Sequence, residues 1–191
     1  MERVNNLYHQ SSSQMHEEIK MIERAKKDPR AFEPLYNKYH EQIFRYVNNR
    51  INDINHSCDI VSQVFMKAIS NLHKFEHRGV PFGSWLYRIA SSELNQWFRD
   101  TKAERKVSVP FENFRLELID DESSDNGRLK ELLGESLNEL PESDLELIEL
   151  RYFEKRSVKE IAEMKNLSES NAKVKCHRAM NKLRKILSNK L

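Results

Sequence analysis

Between Asp59 and Leu72 the apolar residues Ile60, Val61, Val64, Phe65, Ala68, Ile69 and Leu72 fall at offsets 0, 1, 4, 5, 8, 9 and 12. That spacing returns every 3.6 residues, so it lines one side of a helix and cannot line one side of a strand. Ser57 or Asp59 is the expected cap. The period recurs along most of the chain. Ile19, Ile22 and Ala25 share a face, and Asp28-Pro29 reads as the start of a helix carrying Phe32, Leu35, Tyr36, Tyr39, Ile43 and Val47. Asn48 to Ser57 reads as turn-rich. A further helix is expected from about Phe82 to Arg99. Its core face is Phe82, Trp85, Leu86, Ile89, Ala90, Leu94, Trp97 and Phe98. Its outer face is Tyr87, Arg88, Ser91, Ser92, Asn95, Gln96 and Arg99, with Glu93 and Asp100 at the margin. Only 4 Gly and 5 Pro occur in 191 residues, too few turn residues for a many-stranded sandwich or barrel.

The expected fold class is all-α, two small helical domains joined by a flexible acidic linker. Residues 1–14 are polar and aperiodic and read as a disordered tail. Residues 15–102 form the first domain. Residues 103–128 break the helical pattern with an extended Val107–Pro110 and the acidic, turn-forming IDDESSDNG, and so read as the linker. Residues 129–191 form the second domain. There Leu132, Leu133, Leu137 and Leu140 share a side, and Pro141 starts a helix carrying Leu145, Ile148 and Tyr152.

The net charge of +2 hides segregation. Residues 131–149 hold seven acids and no base; residues 165–191 hold eight bases and one acid, Glu169. Dense positive charge points to a polyanion. The basic stretch lies in a recognisable pattern. A short helix carries Ile161 and Ala162, Lys165-Asn166-Leu167 turns, and Ser168 caps a second helix. On that helix Ala172, Cys176, Ala179 and Leu183 make a mostly small inner face, which lets two helices cross closely. Asn171, Lys175, Arg178 and Lys182 make the opposite face, flanked by Lys173 and His177. This is a helix-turn-helix whose second helix enters the major groove. The plain alternative is a solvated basic helix that closes an acidic-basic bundle.

Other classes find little support. No apolar run approaches the roughly 20 residues of a membrane span, and the N-terminus is not a secretory signal. Cys58 and Cys176 stand in no motif, as expected for thiols of a reducing cytosol. No Gly-rich phosphate loop, His-Glu metal motif or nucleophile elbow is present. His73 and His77 are spaced i, i+4 without a third ligand. No catalytic residue, metal or cofactor is expected.

Three stretches together resemble bacterial RNA polymerase sigma factors of the two-domain extracytoplasmic-function group: CDIVSQVFMKA (58–68), FGSWLYRIA (82–90) and LPESDLELIELRYFEKRSVKEIAEMKNLSESNAKVKCHRAMNKLR (140–184). The resemblance implies a cytoplasmic, non-enzymatic protein, monomeric when free. Its implied partners are core RNA polymerase, promoter DNA and an anti-sigma factor, without membrane insertion. It implies polymerase docking through Asp59, Ile60, Gln63, Phe65 and Lys67. Capture of the minus-ten element would fall to Phe75, Arg78, Arg88, Ser92, Asn95, Gln96 and Arg99. The minus-thirty-five element would be read by Ser170, Asn171, Lys173, Lys175, His177 and Arg178, with Arg151 and Lys155 at phosphates. Three departures mark this chain: Ser62-Gln63, Ser91-Ser92 and Asn171-Ala172 stand where the family commonly has Gln-Glu, Arg-Asn and Thr-Val. The competing account is an autonomous helix-turn-helix regulator that dimerises on palindromic operator DNA.

Overall fold

A computed structural model of the protein describes residues 12–102 and 126–191. The expected extended segment Val107–Pro110 and most of the acidic linker lie outside them. No strand occurs among the described residues. The chain divides into two compact units, Met1–Glu104 and Arg105–Leu191.

Unit 1 holds α1 (Ser12–Lys27), α2 (Glu33–Ile51), α3 (Ile54–Asn71) and α4 (Phe82–Thr101). Helix α1 takes in Ser12 to Gln14, which the sequence places in the tail. Asp28 does act as a cap, accepting from Arg30 N at 3.0 Å. However, it opens a 3-10 turn, Pro29–Phe32, and α2 proper begins at Glu33. A second proline, Pro34, fits only the first turn of a helix, where its missing N–H has no partner to lose. The turn-rich reading of 48–57 is corrected. Helix α2 continues to Ile51, Asn52 closes it in the left-handed region (φ 54°), and Asp53 caps α3 by accepting from His56 N at 2.9 Å. Neither Ser57 nor Asp59 is the cap. Ser57 is already inside the helix, its hydroxyl donating to the Asp53 carbonyl at 2.6 Å.

Helix α2 packs against α3 and α4, and the core holds Leu35, Tyr39, Ile43 and Val47 of α2, Ile60, Val61, Val64, Phe65 and Ala68 of α3, and Phe82, Leu86, Ala90 and Leu94 of α4. Helix α4 sits close to α2 because Gly83 presents no side chain. A Cβ there would lie 2.6 Å from Tyr39 Cε1. The outer-face placement of Tyr87 is corrected. It is buried edge-on against Tyr46 at 4.8 Å, and the buried Arg50 guanidinium lies 4.0 Å over the Tyr46 ring. An aromatic ring that finds such partners packs inward, whatever the period of its neighbours. Trp85, Ile89, Trp97 and Phe98, placed on the core face, are only half-buried.

Unit 2 holds α5 (Asn126–Asn138), α6 (Glu142–Ile148), a π-helical turn (Glu149–Phe153), α7 (Val158–Lys165) and α8 (Glu169–Ser188). Leu129, Leu133, Leu137 and Leu140 are buried, and Leu132 is half-buried. Helix α6 stops at Ile148, so Tyr152 falls in the π turn rather than on the α-helix. The chain leaves that turn through bonds from Glu154 N to Glu149 O and from Arg156 N to Leu150 O, both 2.8 Å, with Lys155 between them at φ 52°. This is a left-handed C-terminal closure made without glycine.

Candidate nucleic-acid interface

In unit 2 the local sequence builds the helix pair stepwise. Ser157 and Glu160 form a reciprocal capping box that starts α7: Glu160 N donates to Ser157 Oγ at 3.2 Å and Ser157 N to Glu160 Oε2 at 2.9 Å. Asn166 ends α7 in the left-handed region (φ 52°), with Leu167 N bonded to Ala162 O at 2.8 Å. Ser168 Oγ then accepts from Asn171 N at 3.2 Å and starts α8. Ala172, Cys176, Ala179 and Leu183 are buried toward the rest of the unit, joined by Met180 and Leu187. Burial in this apolar face pushes the Cys176 thiol above its ordinary pKa.

The acidic segment and the basic helix neutralise one another in part. Lys165 Nζ pairs with the buried Glu146 at 2.6 Å, and Lys182 Nζ with Asp144 at 2.5 Å. Lys190 Nζ lies 2.8 Å from both Glu135 and Glu139, which holds its ammonium above the ordinary lysine pKa. Lys182 is therefore removed from the expected free face; it braces α8 against α6. Ser170, Asn171, Lys173, Lys175, His177 and Arg178 are all exposed. Among the described residues Lys173, Lys175, Arg178 and Lys185 make no ion pair, so three of these four unpaired cations gather on the first three turns of α8. His177 Nε2 lies 3.0 Å from Asn181 Nδ2. Arg151 Nη1 donates to the Arg156 carbonyl at 2.9 Å and so braces the turn before α7.

In unit 1 an open cleft of about 510 Å³ runs between the end of α3 and α4. Lys67, Asn71 and Lys74 line one wall; Trp85, Arg88, Ile89, Ser92 and Glu93 line the other. Lys67 Nζ bridges both Glu93 oxygens at 2.7 and 2.6 Å, placing an acceptor and a donor side by side at the cleft. That turns Lys67 toward α4, away from the outward face of α3. Of the residues expected at the minus-ten element, Arg88 and Ser92 line the cleft and Arg78 is exposed. Asn95 is half-buried. Gln96 is held in an exposed chain, donating to Asp100 at 2.8 Å and accepting from Arg99 at 2.7 Å. Phe75 is buried, 5.1 Å from Phe82 and 5.2 Å from Trp85 between ring centroids, so it backs the Trp85 wall instead of facing solvent. Trp85 reaches the cleft, where an indole offers a stacking surface.

The residues expected to meet polymerase separate likewise. Ile60 and Phe65 are core. Asp59 and Gln63 are exposed, and Met66, which the sequence reading passed over, is 62% exposed. Its position three after Gln63 was the available signal.

Comparison with known proteins agrees with this division. The description "Sigma-70 region 2" matches residues 35–104, and "Sigma-70, region 4" matches residues 136–185. The chain is 25% identical over 150 residues to the ECF RNA polymerase sigma factor SigM of Bacillus subtilis (strain 168), covering 78% of this chain and 91% of that protein. It is 28% identical over 158 residues to RNA polymerase sigma factor SigZ of the same organism, covering 81% and 86%. In fold it is similar to CnrH, solved in complex with the cytosolic domain of CnrY (TM-score 0.58, 24% identity, 90% of this chain and 97% of that one). It is also similar in fold to the Bartonella quintana sigma factor RpoE, solved with the anti-sigma factor NepR (TM-score 0.55, 19% identity, 82% and 96%). With region 2 on the unit that carries the cleft and region 4 on the unit that carries α7 and α8, the chain belongs to the sigma-70 family of RNA polymerase sigma factors, in the two-domain build of the extracytoplasmic-function group.

Proposed function

We propose that this sigma factor binds core RNA polymerase and holds a promoter at two points, reading one in duplex form and trapping the other as an opened strand. The observation that carries the reading is the placement of charge on α8: Lys173, Lys175 and Arg178 stand exposed and make no ion pair among the described residues, while Lys165, Lys182 and Lys190 are paired with acids. Such a helix neutralises phosphates and offers arginine and lysine to guanine, and Asn171 to adenine. Ser170 and His177 complete the reading face, with Lys155 beside a phosphate. The cleft of unit 1 suits an unstacked base: Trp85 for stacking, Lys67, Glu93 and Ser92 for its polar edge, and Arg78, Arg88 and Arg99 for the backbone. Asn95 and Gln96 extend that face. Melting would then draw on binding energy, as in other base-flipping proteins.

Docking to polymerase uses the outward stripe Asp59, Gln63 and Met66, with Ile60 and Phe65 fixing the helix from inside. The chain itself carries out no catalysis in this reading; polymerase does. It works in the cytoplasm as a monomer when free, and an anti-sigma factor is a further proposed partner, by extension from the two solved complexes. An autonomous regulator would leave the region 2 match over residues 35–104 without a role. Among the described residues no helix is long and apolar enough to cross a membrane.

The test is a titration of labelled protein into core polymerase, followed by anisotropy without DNA, where saturable binding is expected. Holoenzyme with Lys175→Ala and Arg178→Ala should then bind promoter more weakly by about 1–3 kcal/mol for each base contact removed. Unchanged promoter binding by the double variant would sink the assignment of α8.

A further inference from the structure

We infer that Val174 is a specificity-determining residue that reads the methyl group of a thymine in the upstream element, a role that rests on α8 being the reading helix. Val174 is 45% exposed. A lone exposed apolar residue is ordinary on a protein surface; its address is what distinguishes this one. The buried positions 172, 176, 179 and 183 define the inner line of α8; at 100° per residue Val174 lies almost diametrically opposite them, whereas the line of Asn171, Lys175, Arg178 and Lys182, expected from the sequence to be the opposite face, runs about 100° to one side. It is therefore at the crest of the helix, where a groove-bound helix comes nearest to base edges. Ser170 lies one turn before it and Arg178 one turn after, on the same line. Lys173 and Lys175 flank it on either side of the crest, placed to reach the two phosphate walls.

The chemistry of the crest is otherwise polar: Ser170, Val174, Arg178 and Asn181 in order. A valine there cannot donate or accept a hydrogen bond, so opposite an amino or carbonyl edge it would leave that group unpaired. In the major groove the thymine C5-methyl is the apolar feature of the four bases. A β-branched side chain is stiff about χ1 and presents its methyls in a fixed direction, which suits contact with one small apolar target. Spacing adds a constraint. One helical turn advances about 5.4 Å and one base step about 3.4 Å, so the thymine lies one or two base pairs from the base that Arg178 contacts.

The experiment uses holoenzyme throughout. Upstream elements are selected from randomised duplexes with the natural chain, with Arg178→Ala and with Val174→Ala. An exposed valine changed to alanine keeps the helix, since alanine is the stronger helix former. The expected result is a thymine preference one or two positions from the base whose preference Arg178→Ala relaxes, and its disappearance in Val174→Ala. Replacing that thymine by deoxyuridine, which removes only the methyl, should weaken the natural holoenzyme about fourfold, the equivalent of one buried methyl group, and leave Val174→Ala unchanged. If Lys175→Ala with Arg178→Ala weakens binding but Val174→Ala keeps the natural base profile and the same response to deoxyuridine, the valine assignment is overturned while α8 remains the reading helix. If the double variant binds at full strength, the underlying reading fails and the valine role falls with it.

Discussion

Glu18 offers a sharp test of how α4, the helix that lines the cleft, is held in place. It sits on α1, ahead of the residues that match region 2, and is 1% exposed. One carboxylate oxygen accepts from the Phe82 backbone N–H at 2.7 Å, at the first turn of α4. The other accepts from the buried Tyr39 hydroxyl and from Lys38 Nζ, the latter at 2.7 Å. An acid at that place meets an orphan donor and the positive end of the helix dipole together. Tyr39 is also the ring against which Gly83 packs, so one carboxylate anchors both sides of the α2–α4 contact. Glu18→Ala strands two buried donors, at about 1–3 kcal/mol each. Lys38 is part-exposed and can turn to water, so it adds little. The expected loss is about 2–6 kcal/mol, a large share of the roughly 5–15 kcal/mol typical of a domain. Both tryptophans of the chain, Trp85 and Trp97, lie in unit 1, so urea unfolding followed by tryptophan fluorescence reports that unit alone. Glu18→Gln keeps one acceptor and should fall between the two. A loss below about 0.5 kcal/mol for Glu18→Ala, with an unchanged urea slope, would refute the anchoring argument.

Lys155→Gly should raise the calorimetric melting temperature of unit 2. Lysine at φ 52° carries about 1 kcal/mol of backbone strain that glycine lacks, less the extra freedom glycine gains when unfolded. The same variant should weaken promoter binding if Lys155 touches a phosphate, which separates the two roles. Iodoacetamide should label the exposed Cys58 in the folded protein and reach the buried Cys176 only on unfolding. Because burial raises the folded thiol's pKa, the stability Cys176 contributes is complete below the unfolded value near about 8.5 and lost as pH rises through the folded one. Cys176→Ala should therefore flatten the alkaline limb of the stability profile.

What could be read from the sequence follows from how local the determining forces are. Helix periods in α3 and α8 were legible because an amphipathic stripe repeats within a few residues, and Ser168 was legible as a cap because capping spans one turn. The start of α3 was misjudged because Asp53 competes with Ser57 and Asp59, and the winner depends on where Asn52 ends α2. Tyr87 was misplaced because its ring partner, Tyr46, is some forty residues earlier. The site was affected in the same way. Exposed positions on α8 followed from the wheel, whereas the pairing of Lys67 with Glu93 crosses between helices, as does that of Lys182 with Asp144, and no local pattern announces either. The resemblance assigned Phe75 to the minus-ten element; only the folded α4 shows that Phe82 and Trp85 take its ring.

The pairing of charges in unit 2 bears on binding more than on stability. Exposed ion pairs contribute little to folding, so Lys182 and Lys190 gain little there from Asp144, Glu135 and Glu139. The pairs do decide which cations are available to DNA. Residues 165–191 hold eight bases. Three are paired with acids of the neighbouring helices, and Arg184 is engaged as well. Four remain with no ion pair among the described residues: Lys173, Lys175, Arg178 and Lys185. If only these release counterions, this helix can contribute a salt slope of about −3.6, against about −7 for all eight. Polymerase adds its own contacts, so the useful quantity is the difference between variants of the same holoenzyme on the same upstream duplex. Lys175→Ala should reduce the slope of log K against log salt by about 0.9, and Lys182→Gln should leave it unchanged. An equal drop from both would mean that Lys182 leaves Asp144 on binding and that the acids of α6 do not shape the DNA-facing charge.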